Sequence, residues 1–131
     1  MTQRVLLCDD DVLAIRAAEQ ELKHAGYEVR VAVDGENGWQ AIRDSKPDVL
    51  VTDCHMPRLD GLGLVQRVRD FPETRDLPIL MLAGTGFDFS LDELAAKWRI
   101  VTVIPKPFSP QTLLRVLTAV FCEEPATAVQ C

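Results

Sequence analysis

Short β-branched or aliphatic runs alternate along the chain with longer segments whose apolar residues recur every three or four positions. Such alternation marks strands buried on both faces between layers of helices. The first unit pairs Val5–Cys8 with a helix from Val12 to about Ala25, apolar at Val12, Ile15, Ala18 and Leu22 and stopped by Gly26. Val29–Ala32 predicts a second strand, and Asp34 is placed to cap a helix that carries Trp39, Ala41 and Ile42 and ends before Pro47. Asp48–Thr52 predicts a central strand, nearly all apolar, that stops at Asp53. The turn-forming stretch Met56-Pro57-Arg58-Leu59-Asp60-Gly61 then leads to a helix with Leu62, Val65 and Val68 on one side. Pro78–Leu82 predicts the fourth strand, its proline first, where no ladder donor is needed. After a Gly-bearing loop come a short helix over Leu91–Trp98 and a fifth strand over Ile100–Ile104. Ser109-Pro110 opens a last helix with Leu113, Val116, Leu117 and Val120 on its apolar face. The pattern predicts one α/β domain over residues 1–122, a doubly wound (βα)₅ sandwich, and a flexible tail over 123–131.

Composition narrows the function classes. The longest apolar runs, such as Val5–Cys8 and Ile79–Ala83, fall far short of the roughly 18 residues a membrane span needs. The opening Met1-Thr2-Gln3-Arg4 runs straight into a strand without a signal-peptide pattern, so a soluble, cytoplasmic protein is expected. A net charge of −6 argues against nucleic acid as a direct partner, since phosphate-backbone binding needs a basic patch. Cys8, Cys54, Cys122 and Cys131 have neither CxxC spacing nor a histidine cluster, which predicts reduced thiols rather than a zinc site.

In a doubly wound sheet, ligands bind beyond the carboxyl ends of the strands, so the polar residues where the apolar runs stop carry the chemistry. Asp9 and Asp10 follow strand one, Asp53 follows strand three, Gly84 and Thr85 follow strand four, and Lys106 follows strand five. In the order 2-1-3-4-5, strands one, three, four and five are neighbours. Carboxylates about 5 Å apart repel by on the order of 3 kcal/mol per pair at an effective dielectric near 20, so a cation is expected among them. Hard oxygen donors in an open polar crevice favour Mg²⁺. A carboxylate beside Mg²⁺ and a lysine is placed to attack phosphorus, which makes Asp53 the central candidate. An aspartate at a strand end more often caps a helix, and Asp10 or Asp11 could do so here.

With these residues in view, the set Cys8-Asp9-Asp10-Asp11, Asp53, Met56-Pro57, Asp60-Gly61 and Lys106-Pro107-Phe108 resembles the response-regulator receiver family from about Arg4 to Phe121. The resemblance implies a flavodoxin-like, chemotaxis-regulator-like fold in the order 2-1-3-4-5. It implies that Asp9 and Asp10 serve Mg²⁺ with Asp53 and the backbone carbonyl of His55, that Asp53 is the phosphoacceptor, that Lys106 holds a phosphoryl oxygen, and that Lys106-Pro107 is cis. It also implies a phosphohistidine donor on a histidine kinase or phosphotransfer domain, and a partner or homodimer on the face made by helix four, strand five and helix five.

Two positions depart from the family. The hydroxyl residue at the end of strand four is Ala83 here, and the aromatic residue three positions before the strand-five lysine is Val103. Both moving parts of the usual switch are thus missing, and Thr85 stands in only if the loop shifts. That opens a second reading, a receiver-fold interaction module that signals without phosphorylation. A third, an aspartyl phosphohydrolase, is opposed by Cys54-His55-Met56, which puts no carboxylate two positions after Asp53. The His55 side chain is expected to face solvent, and His24 to sit favourably at a helix end. Trp39 and Trp98 are expected to pack. Cys8 and Cys54 flank the acidic site, and adjacent carboxylates are expected to raise their pKa. The sequence fits a free-standing receiver and one cut from a larger regulator equally well.

Overall fold

The computed structural model describes residues 2–84 and 91–122. Its elements run β1 (Arg4–Cys8), α1 (Val12–His24), β2 (Glu28–Ala32), α2 (Gly35–Asp44), β3 (Val49–Asp53), α3 (Gly61–Asp70), β4 (Ile79–Ala83), α4 (Leu91–Trp98), β5 (Thr102–Pro105) and α5 (Pro110–Cys122). Every residue of β3 and β4 is buried. Strands buried on both faces belong in the middle of a parallel sheet, and the order is β2-β1-β3-β4-β5, parallel throughout.

Strand side chains alternate between two cores. Leu6, Leu50, Ile79 and Met81 pack with Ile42 of α2 and with Leu64, Val65 and Val68 of α3. Val5, Leu7, Val49, Val51, Leu80 and Leu82 pack with Ile15, Ala18 and Leu22 of α1 and with Leu113 and Leu117 of α5. Each fully buried aliphatic side chain contributes on the order of 2 kcal/mol.

Side-chain caps start the helices at the end of the sheet where the acidic residues lie. Asp11, Asp34 and Asp60 accept the backbone N–H groups of Ala14, Asn37 and Gly63 at 3.2, 2.7 and 2.7 Å. Ser109 Oγ accepts that of Thr112 at 3.0 Å. The choice between Asp10 and Asp11 as cap therefore falls to Asp11. Helix α1 stops where Gly26 adopts φ +102°. There the N–H groups of Gly26 and Tyr27 close back on the carbonyls of Lys23 and Leu22.

Several details differ from the sequence expectation, among them the start of β3 at Val49 rather than Asp48. Strand β4 starts at Ile79, and Pro78 contributes only its carbonyl, to Leu50 N–H at 2.9 Å. In α3 the buried face includes Leu64, whereas Leu62 is half-buried. Strand β5 starts at Thr102, because the chain leaves α4 through Arg99 at φ 56° and buries Ile100 from a turn. That turn is held by Arg69 of α3. Its guanidinium donates to the carbonyls of Trp98 (2.8 Å), Leu77 (2.7 Å), Arg75 (2.9 Å) and Arg99 (3.0 Å). The tail expected over 123–131 and the Thr85 position lie outside the described residues. No helix among the described residues is long and apolar enough to cross a membrane.

Candidate functional site

Asp9 follows the last residue of β1, and Asp53 is the last residue of the neighbouring strand β3. Both are buried, at 1% and 6% exposure, while Asp10 is exposed. One carboxylate oxygen from each of the three lies within 4.8 Å of the others. The main chain orients the buried pair: Asp9 Oδ1 accepts from Asp11 N–H at 3.0 Å, and Asp53 Oδ1 accepts from Cys54 N–H at 2.8 Å.

Lys106 enters from the end of β5, after Pro105, with its peptide bond to Pro107 cis. Its Nζ lies 3.1 Å from Asp9 Oδ2 and 3.1 Å from Asp53 Oδ2. Asp9 Oδ2 is buried and, among the described residues, has the Lys106 ammonium as its ion-pair partner. Burial pushes the Asp53 carboxyl above its ordinary pKa; Lys106 opposes this and Asp9 adds to it. Burial alone would lower the Lys106 ammonium, but Asp9 and Asp53 outweigh it and the net shift is upward.

Of the residues expected at switch positions, those described lie on β4 and β5 or just beyond their ends. Ala83 is buried, and its carbonyl accepts the Lys106 N–H at 2.8 Å. Val103 is half-buried against the core on the α2 and α3 side. Gly84 and Pro107 border a hollow of about 320 Å³ beside Lys106, with Asp11, Ala14 and Phe108. The His55 side chain is exposed, just past Asp53. His24 is exposed in the last turn of α1. Trp39 packs edge-on against Phe71, and Trp98 packs against the core.

Cys8 and Cys54 are free and buried. Both thiols are pushed up to about 12, by burial first and by neighbouring carboxylates second. The direction agrees with the sequence expectation, but desolvation rather than the adjacent carboxylates is the larger cause. Sequence reasoning also missed two contacts near the site. Lys106 touches Asp9 as well as Asp53, and Arg58 reaches Asp34, the cap of α2, at 3.3 Å.

The donor set suits a small hard cation. Three carboxylates converge, and the buried oxygen Asp9 Oδ2 pairs only with the Lys106 ammonium among the described residues. The nearby thiols, at about 12, stay protonated and are poor soft ligands.

Residues 5–118 match the family model for the response regulator receiver domain. The chain belongs to that family. The receiver is 34% identical over 127 residues to response regulator MprA of Mycobacterium ulcerans, covering 91% of this chain and 50% of that protein. It thus spans half or less of the curated relatives it matches. A putative response regulator from Chloroflexus aurantiacus superposes with a TM-score of 0.83 at 36% identity, over 94% of this receiver and 100% of that chain. The receiver domain of the sensor histidine kinase PA1611 from Pseudomonas aeruginosa, solved with magnesium coordinated in its active-site cleft, superposes with a TM-score of 0.78. It is 25% identical over 90% of this receiver and 96% of that chain.

Proposed function

We propose that this receiver takes a phosphoryl group onto Asp53 from a phosphohistidine on a histidine kinase or phosphotransfer domain. The observation that carries the reading is the placement of Lys106 Nζ 3.1 Å from Asp53 Oδ2, beside carboxylates of Asp9 and Asp10. A carboxylate oxygen of Asp53 forms the bond to phosphorus as the phosphorus–nitrogen bond of the donor breaks. The imidazole leaves with the electron pair and takes up a proton, and an acyl phosphate remains. Cys54 N–H holds Oδ1 and fixes the rotamer of the nucleophile. The Lys106 ammonium faces the oxygens where negative charge gathers. Asp9, Asp10, Asp53 and the backbone carbonyl of His55 would hold Mg²⁺, which supplies charge neutralisation at the phosphoryl oxygens.

In this reading residues 1–122 form the receiver domain, which catalyses its own phosphorylation and works in the cytoplasm. Output passes to a downstream protein or a second copy on the face made by α4, β5 and α5, and neither nucleic acid nor membrane is a direct partner.

The test is intact-mass measurement after incubation with Mg²⁺ and acetyl phosphate. One phosphoryl adduct on the wild type and none on Asp53→Asn is the expected result. No adduct, together with no binding of beryllofluoride, would refute it.

Ala83 and Val103 favour a second reading, an interaction module of receiver fold that signals without phosphorylation. Ala83 has no hydroxyl to follow a phosphoryl oxygen, and Val103 is already packed against the core, with no aromatic ring to swing inward. An unlabelled protein that still binds its partner would establish it.

A further inference from the structure

The connection from Asp53 to α3 is pinned at its base. Gly61 N–H donates to Cys54 O at 2.9 Å, and a Cβ at Gly61 would overlap the Asp53 carbonyl oxygen. Cys54 N–H also approaches Leu82 O at 3.1 Å while holding Asp53 Oδ1 at 2.8 Å, so the path of this loop fixes the nucleophile's carboxylate. At the tip, Leu59 N–H donates to Pro57 O at 2.8 Å, closing a three-residue turn with Arg58 at its apex at φ 70°. A γ-turn with positive φ is rare and strained for any residue that carries a Cβ, and glycine is the natural occupant.

Arg58 therefore sits where a side chain is disfavoured, and that side chain has a specific contact. Its Nη1 lies 3.3 Å from Oδ2 of Asp34, a buried carboxylate. Asp34 is itself held rigidly, accepting Asn37 N–H at 2.7 Å and Asn37 Nδ2 at 3.2 Å. The next pair along reinforces the junction, because a Cβ at Gly35 would overlap the Leu59 carbonyl. Two consecutive loop residues thus seat on two consecutive residues at the start of α2. Strain of this kind persists only where the surroundings over-determine it, and it gathers at functional sites.

We propose that the Arg58–Asp34 pair is a clasp that sets the phosphoacceptor loop, making Arg58 a positioning residue for the acidic site; the proposal rests on the function given above. The ion pair anchors the loop tip to α2, and through the Gly61–Cys54 and Cys54–Asp53 bonds it holds the Asp53 carboxylate toward Asp9, Asp10 and Lys106. Arg58 touches neither phosphoryl group nor metal.

Arg58→Gly separates positioning from stability, since glycine relieves the turn while removing the guanidinium. Asp34→Asn keeps the helix cap and removes the charge. Mg²⁺ is titrated into wild type and both variants, following the backbone amide signals of Asp10, Asp53 and Cys54 by NMR, with thermal unfolding measured alongside. The clasp predicts Mg²⁺ affinity lowered by about tenfold in both variants, the scale of losing an outer partner of a metal ligand, with no loss of stability in Arg58→Gly. Wild-type affinity retained in both variants would overturn the clasp alone. A wild type that binds neither Mg²⁺ nor beryllofluoride would overturn the function itself, and the clasp with it.

Discussion

Lys106 Nζ stands 3.1 Å from a carboxylate oxygen of Asp9 and the same distance from one of Asp53, so a single ammonium serves groups from two strand ends. Replacing it with an apolar chain of similar length leaves two buried carboxylates facing each other without a cation. Lys106→Met should slow labelling by acetyl phosphate by about a hundredfold, the scale of losing one electrostatic contact to the developing charge. An unchanged rate in a mass-spectrometric time course would remove Lys106 from the chemistry.

The same crowding predicts that Mg²⁺ stabilises the fold. At ten times its dissociation constant, a ligand that binds only the native state adds about 1.4 kcal/mol. Denaturant titration with and without Mg²⁺ should show that gain in the wild type, its loss on chelation, and none in Asp10→Asn. Equal gains in wild type and Asp10→Asn would place the ion elsewhere.

Gly61 is a packing requirement at the end of β3. A methyl group there overlaps the Asp53 carbonyl oxygen and comes within 2.9 Å of Cys54 Cα. Neither is the movable end of a side chain, so the backbone must yield. Gly61→Ala should lose about 3 kcal/mol in chemical denaturation, at the upper end of overpacking costs, and should label more slowly on Asp53. Wild-type stability would mean that the loop has room to move.

Cys8 gives the pH dependence a sign. Its thiol has an ordinary value of 9.0 and is pushed up to about 12 in the fold, with burial the main cause. The raised folded value means the contribution is complete below 9.0 and is lost as pH climbs towards 12. Above pH 9.0 the unfolded chain sheds the proton that the native chain keeps. Wild type should therefore lose stability faster than Cys8→Ala as pH rises through that window, by up to about 1.4 kcal/mol per pH unit. Parallel slopes would show that the thiol ionises as readily in the native protein.

Much of this was legible in the sequence, because two periodicities do most of the work. Runs such as Val49–Val51 have nowhere to go but the middle of a sheet, and Asp53 and Lys106 are marked by being where such runs stop. Apolarity alone does not tell strand from buried turn, so the pattern extends β5 to Ile100, although Ile100 packs from the turn before the strand. Periodicity also could not pair Arg58 with Asp34, 24 residues apart. A long charged side chain carries no repeat that betrays its partner, and that contact appears only when two loops are brought side by side. The same holds for Lys106 and Asp9, which the sequence placed at one end of the sheet without setting them in contact.

Arg69 grips four carbonyl oxygens and, among the described residues, hydrogen-bonds no side chain. Carbonyls are common to every amino acid, so this anchor is indifferent to which residues occupy positions 75, 77, 98 and 99, provided the backbone keeps its path. Exposed residues at the end of α4, such as Lys97, can therefore change while its attachment to α3 stays the same. Surface composition and placement are separately editable there, and a redesign that spares Arg69 can rewrite the first without disturbing the second.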